Sequence, residues 1–164
     1  MSSSTIQDAA AHAHPNTSPA LDESITTLHI AKQQRIAAPV QTVWDALLAE
    51  MGPDSTMPDG SPFPLRLEPW PGGRYFRDLG DNTGHLWAHV QVIKPPRLLE
   101  LCGPLFMSYP AVSHVQYRLK EDAQASLLSI VHRAIGLITP EHREGVQMGW
   151  AHELERVQRR AERR

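Results

Sequence analysis

One cysteine, Cys102, is all the thiol in this chain of 164 residues, which excludes an intrachain disulfide and any cysteine-pair zinc site. An excess of charge of one sign is missing too. Lys plus Arg total 16 against 18 for Asp plus Glu, a net charge of -2, and this supplies no basic field for neutralising phosphates. Nucleic acid is therefore not an expected partner. No run approaches the ~20 apolar residues of a membrane-spanning helix, so membrane insertion is not expected either. The opening Met1-Ser2-Ser3-Ser4 lacks the basic and apolar regions of a signal peptide. With the lone cysteine, this leads us to expect a cytoplasmic protein. Catalytic signatures are equally sparse, with no G-x-S-x-G elbow, no phosphate-binding glycine loop and no dinucleotide fingerprint.

Proline is what the chain has in excess, at 14 of 164 residues against ~5% on average. Its distribution divides the sequence. Residues 1–23 are small and polar, with little apolar surface to offset the entropy of ordering, and are expected to form a disordered tail ahead of one domain spanning 24–164. Ser24 to Ile36 is rich in β-branched residues on one parity and reads as a strand. Pro39 then opens a short helix, in which Val40, Val43, Trp44, Leu47, Leu48 and Met51 recur at helical spacing. Residues 52–64 (GPDSTMPDGSPFP) form a long irregular loop, because proline deletes a donor and pushes its predecessor out of the helical region.

Six further segments read as strands: Leu65–Glu68, Gly73–Leu79, Gly84–Ile93, Leu98–Cys102, Ala111–Lys120 and Ala125–Leu137. The turns between them fall at Pro69–Gly72, Gly80–Thr83, Pro95–Arg97, Gly103–Pro110 and Glu121–Asp122. Short connections without intervening helices make the sheet antiparallel. Thr139-Pro140-Glu141 starts the last helix, ~36 Å long at the standard rise, with Val146, Trp150, Leu154, Val157 and Ala161 on its apolar face. The arginines at 156, 159, 160, 163 and 164 suit the negative end of the helix dipole. The expected class is α+β: a curved antiparallel sheet of about six to seven strands wrapped around a long C-terminal helix, with a short helix after the first strand.

This order of elements, with Ile36-Ala37-Ala38-Pro39, Val43-Trp44-Asp45-Ala46-Leu47, Gly72-Gly73-Arg74-Tyr75-Phe76, Gly84, Val92-Ile93-Lys94-Pro95-Pro96-Arg97-Leu98 and Gly149-Trp150, resembles the START-like (SRPBCC) superfamily. The resemblance is to its helix-grip fold, in the branch similar to the activator of heat-shock protein 90 ATPase, and spans roughly residues 27–161. It implies a cavity between sheet and terminal helix that takes a hydrophobic or amphipathic small molecule, a lipid included. No cofactor is expected. From the same resemblance follow two alternatives, a co-chaperone-like module of stress response with a protein partner or homodimer, and a cyclase or hydratase using a cavity histidine. The loops 52–64 and 103–110 depart from the family and are expected to rim the cavity.

Histidine is abundant, with 9 in the chain. His85 and His89 have the spacing that joins two ligands on a helix, but on a strand their Cα atoms lie ~13 Å apart, too far to share an ion. No metal site is expected. His132 has the parity of Leu128 and Ile130 and points inward, as a hydrogen-bonded core group or, in the enzyme reading, an acid–base group. Aromatic residues supply area with a polar handle. The expected ligand contacts are Phe76, Trp87, His89, Tyr117, Ile130, His132, Met148 and Trp150, with no catalytic residue assigned. Cys102 and Trp44 read as packing residues.

Overall fold

The computed structural model describes residues 24–105 and 110–163. The expected tail at 1–23 lies outside the described residues. The elements are β1 (Thr26–Ile36), α1 (Val40–Glu50), β2 (Arg66–Leu67), β3 (Arg74–Gly80), β4 (Thr83–Lys94), β5 (Leu98–Gly103), β6 (Ala111–Asp122), β7 (Ala125–Gly136) and α2 (Pro140–Glu162). The seven strands form one antiparallel sheet in the order β1-β7-β6-β5-β4-β3-β2. With the short helix after β1 and the long helix at the end, this is the helix-grip fold.

Alternation along the central strands explains the core. Leu99 and Leu101 of β5, Val115, Tyr117 and Leu119 of β6, and Leu128, Ile130 and His132 of β7 are buried on one face, as period 2 requires when a helix covers that side. The helix supplies Val146, Trp150, Leu154, Val157 and Ala161 from its own apolar stripe. It rests on α1 and on β1. Its start is fixed by the Thr139 hydroxyl, which accepts from the His142 amide at 3.2 Å, with Pro140 in the first turn. Near its end, Glu162 accepts from the Ala37 amide at 2.9 Å. On α1, Pro39 is the cap rather than the first helical residue.

Two turns show what local sequence does and does not announce. Asp81 and Asn82 carry φ of 49° and 58° at the β3–β4 hairpin, the left-handed values that these two residue types tolerate and that match the twist of the strands. The β6–β7 turn falls at Ala123–Gln124, not at the expected Glu121–Asp122, because pairing runs on to Asp122 opposite Ala125. Ala123 then takes φ 56° without any of the usual turn residues.

The feature that most shapes the site is a bulge in β4. Tyr75 pairs with Ala88 but Phe76 pairs with Leu86, leaving Trp87 as the extra residue. A bulge bends its strand and shifts parity. Trp87 and Ala88 are consequently both buried. Gly103 at the end of β5 hugs this bulge: a Cβ there would meet Trp87 O at 2.5 Å and Ala88 Cα at 2.7 Å, so glycine is required for close approach.

Candidate functional site

Because α2 rests on α1 and β1, the far half of the sheet is left without a helix over it. The result is a cavity of about 980 Å³ between the N-terminal half of α2, strands β3 and β4, and the loop 52–64. Such a volume fits a drug-sized molecule. Loop residues Ser55, Thr56, Met57, Pro58 and Phe63 line it, as does Leu105. Both expected rim loops therefore reach the cavity, although 106–109 lie outside the described residues.

One wall is aromatic. Phe63 stacks on Trp87 with ring centroids 5.6 Å apart, and Tyr75 meets the same indole edge-on at 5.5 Å. The opposite wall is α2, where Gly145 and Gly149 lie one turn apart and line the cavity. A Cβ built at either would meet nothing within 4 Å. Neither steric crowding nor a positive φ calls for glycine here, and each forgoes ~1 kcal/mol of helix propensity relative to alanine. What the pair provides is open space.

The polar wall centres on Glu153. The Tyr117 hydroxyl donates to its two carboxylate oxygens at 3.1 and 3.3 Å. Burial pushes its carboxyl up to about 7, with the Tyr117 bond and the Arg156 charge opposing and Glu50 adding to the rise. Burial, followed by the Glu153 charge, likewise raises the Tyr75 and Tyr117 phenols well above their ordinary value. Beneath the cavity, Glu50 is 6% exposed and receives two arginines from α2, Arg156 Nε at 3.0 Å and Arg160 Nε at 2.7 Å. Arg160 also reaches Asp54 at 3.3 Å, and Arg156 donates to the Thr56 carbonyl. The arginines read as dipole complements therefore include two that turn inward and fasten the loop.

The expected contacts fall into three places. Trp87 alone stands in the cavity wall. Tyr117, Ile130, His132 and Trp150 are together in the sealed core, each no more than 2% exposed. Here Trp150 Nε1 donates to His132 Nδ1 at 3.0 Å, and the indole stands edge-on to both the imidazole and the Tyr117 ring. Burial, and secondarily the His142 charge, lowers His132 to about 4, so at neutral pH its Nδ1 is free to accept. Tyr117 touches the site only through Glu153. Phe76, His89 and Met148 are elsewhere. Phe76 follows the inward Tyr75 and lies on the outer side, under the Arg74 guanidinium at 4.5 Å. His89 is exposed, since the bulge at Trp87 reverses the parity that would have set it beside that indole. Met148 is 69% exposed on α2. His85, on the cavity side of the bulge, lines the cavity where His89 does not.

Glu153, Arg156, Arg77, His142 and His152 line the cavity and were not singled out as ligand contacts from sequence. The carboxylates at the cavity, Glu50, Glu141 and Glu153, come from the helices rather than the strands. The signal available was the pair Gly145 and Gly149, whose spacing marks the α2 face that opens on the cavity, with Glu153 one turn beyond.

Neither a protein-family model nor a curated protein matches the chain by sequence. Solved structures do match by shape. CalU16 from Micromonospora echinospora is 20% identical with a TM-score of 0.56, over 86% of this chain and 85% of that one. A protein from Rhizobium leguminosarum reaches a TM-score of 0.67 at 17% identity, over 87% of this chain and 99% of its own. The di-domain ARO/CYC BexL from the BE-7585A biosynthetic pathway is 20% identical with a TM-score of 0.57, over 84% of this chain and 51% of BexL. At these identities the likeness shows the helix-grip fold alone.

Proposed function

We propose that this protein binds an amphipathic small molecule in the cavity between α2 and the β3–β4 hairpin. The carrying observation is the glycine pair at 145 and 149, which keeps open a space that two alanines would narrow while strengthening the helix. The aromatic wall of Phe63, Tyr75 and Trp87 receives an apolar ring body, and the Glu153 side orients polar groups. Placement in the START-like superfamily, in the branch similar to the activator of heat-shock protein 90 ATPase, rests on the motifs around Pro39, Gly73 and Pro96. A cytoplasmic setting suits the lone cysteine.

Titration with the neutral dye N-phenyl-1-naphthylamine tests the reading. Saturable fluorescence enhancement is expected, and Gly149→Leu, whose side chain grows into the cavity, should abolish it while leaving the thermal midpoint unchanged or raised. Equal binding by wild type and Gly149→Leu, or no saturable binding by wild type, overturns it.

A second reading, acid–base catalysis on the bound molecule, is favoured by Glu153: a carboxyl poised at about 7 on a cavity wall is matched to proton transfer near neutrality. This moves the enzyme alternative away from His132, which is sealed under Trp150, and from His89, which faces outward.

A further inference from the structure

Four arginines with described side chains are half-buried: Arg77, Arg143, Arg156 and Arg160. Three of them have an acceptor or an acid beside them, although Arg156 Nε, 3.0 Å from Glu50, makes no hydrogen bond. Arg143 donates to the Thr27 carbonyl at 2.8 Å, and Arg156 and Arg160 share Glu50. Arg77 is different. It lines the cavity, its guanidinium lies 4.1 Å from the centroid of the Phe63 ring, and its Nε is buried without a hydrogen-bond partner. Among the described residues no carboxylate lies within 4.0 Å of it.

The outer face of the same strand gives the contrast. Arg74 is also stacked on a phenylalanine, Phe76, but its Nε and Nη2 donate to both oxygens of Glu68. One strand thus carries two guanidiniums over phenylalanine rings, Arg74 paired with an acid outside and Arg77 without one inside. A guanidinium is charged at every relevant pH, and withdrawing it from water without a partner is unfavourable. The Phe63 ring attracts the charge without accepting its N–H donors in the plane of the guanidinium, and a guanidinium fork takes a planar or tetrahedral oxyanion through two parallel bonds.

The surroundings add hydrogen-bonding groups and the positive end of a helix. His85 is paired directly across from Arg77 and lines the cavity with it, and the N-terminal turn of α2, with Thr139 and His142, closes that end. Glu141 and Glu153 are the opposing charges, while Glu50, which also lines the cavity, is paired with Arg156 and Arg160.

Resting on the cavity reading above, we propose that the ligand is an organic anion, a ring-bearing carboxylate, sulfonate or phosphate, whose charged group binds Arg77 while its apolar body lies along Phe63 and Trp87. Arg77 is then the residue that selects anionic over neutral ligands of one shape.

Two dyes of one skeleton separate this inference from the reading beneath it: 8-anilinonaphthalene-1-sulfonate carries the anion, and N-phenyl-1-naphthylamine is the same skeleton without it. Wild type is expected to bind the sulfonate more tightly, and Arg77→Gln to weaken the sulfonate by roughly ten-fold or more, the range of a hydrogen bond to a charged group, while leaving the neutral dye within about two-fold. Arg77→Lys should recover part of the loss. The neutral dye also reports that the variant is folded. If Arg77→Gln weakens both dyes alike, or neither, the anion assignment falls and the cavity reading stands. If wild type binds neither dye, both fall.

Discussion

Glu153 and His132 flank the Tyr117–Trp150 contact, one bonded to each ring residue, and they act on stability in opposite directions with pH. Burial takes Glu153 from 4.5 to about 7. Between those values the folded protein keeps a proton that the unfolded chain has released, so its contribution is complete below pH 4.5 and is lost as pH rises through 7. Burial takes His132 from 6.5 to about 4. There the unfolded chain binds a proton that the folded protein refuses, so that contribution is complete above pH 6.5 and is lost as pH falls through 4. Each group has a slope of about 1.4 kcal/mol per pH unit, and from pH 4.5 to 6.5 the two slopes oppose. Wild type should therefore change by less than about 1 kcal/mol from this pair. Glu153→Gln removes the falling limb and should gain up to about 3 kcal/mol on going from pH 4.5 to 6.5, the upper figure because the side chain opens on the cavity. His142, also lowered by burial, adds in the same direction. Glu68 and Glu162, held low by Arg74 and by the Ala37 amide, change charge below this window. Urea midpoints followed by tryptophan fluorescence read the effect, since 3 kcal/mol at ~1–3 kcal/mol per molar urea displaces the midpoint by roughly 1–3 M. A Glu153→Gln midpoint as flat as that of wild type across the window would refute the reasoning.

Two other perturbations follow from the same site. Glu50→Ala strands two inward-turned arginines and should lower stability by about 3 kcal/mol, whereas Asp54→Ala, whose contact with Arg160 is exposed, should change it by less than about 1 kcal/mol; equal losses in denaturant titration would contradict the Glu50 assignment. For the acid–base reading, 5-nitrobenzisoxazole is an apolar ring compound opened by base: the carboxylate takes the C3 proton, the N–O bond breaks, and 2-cyano-4-nitrophenolate leaves. The rate should rise with pH through about 7 and fall to the level of free carboxylate in Glu153→Gln; a rate equal in both proteins would remove Glu153 from that role.

The fold was legible because its signals are local. The spacing of Val40, Val43, Trp44 and Leu47, the Thr139-Pro140 cap and the alternation in β6 and β7 each act over a few residues, and the observed elements follow them closely. The site was less legible, for three reasons. Phe76 belongs to a strand that faces the cavity, but its neighbour Tyr75 holds the inward parity. A period of 2 would set His89 on the side of Trp87, but the bulge interrupts it, and no residue between Leu86 and Val90 announces a bulge. Glu153 and Arg156 sit on a helix stripe beside the apolar one, and whether such a stripe meets water or a cavity depends on where α2 lies across the sheet. That position is tertiary: it is fixed by α1, β1 and the Glu50 cluster.

The physical case for a ligand comes from departures that coincide. A chain selected for stability alone would place alanines at 145 and 149, pair Arg77 with an acid and leave no carboxyl buried to a value near 7. Each departure lowers stability by itself, and sites that violate several local rules at once are where function is expected. All three line one cavity of about 980 Å³. Elsewhere on β3 the chain observes the rules, as Arg74 with Glu68 shows at 2.5 Å. The three departures at the cavity stand apart from that pairing. They mark the space in which an aromatic-bodied anion supplies what the protein's own side chains withhold: apolar area against Phe63 and Trp87, and a partner for Arg77.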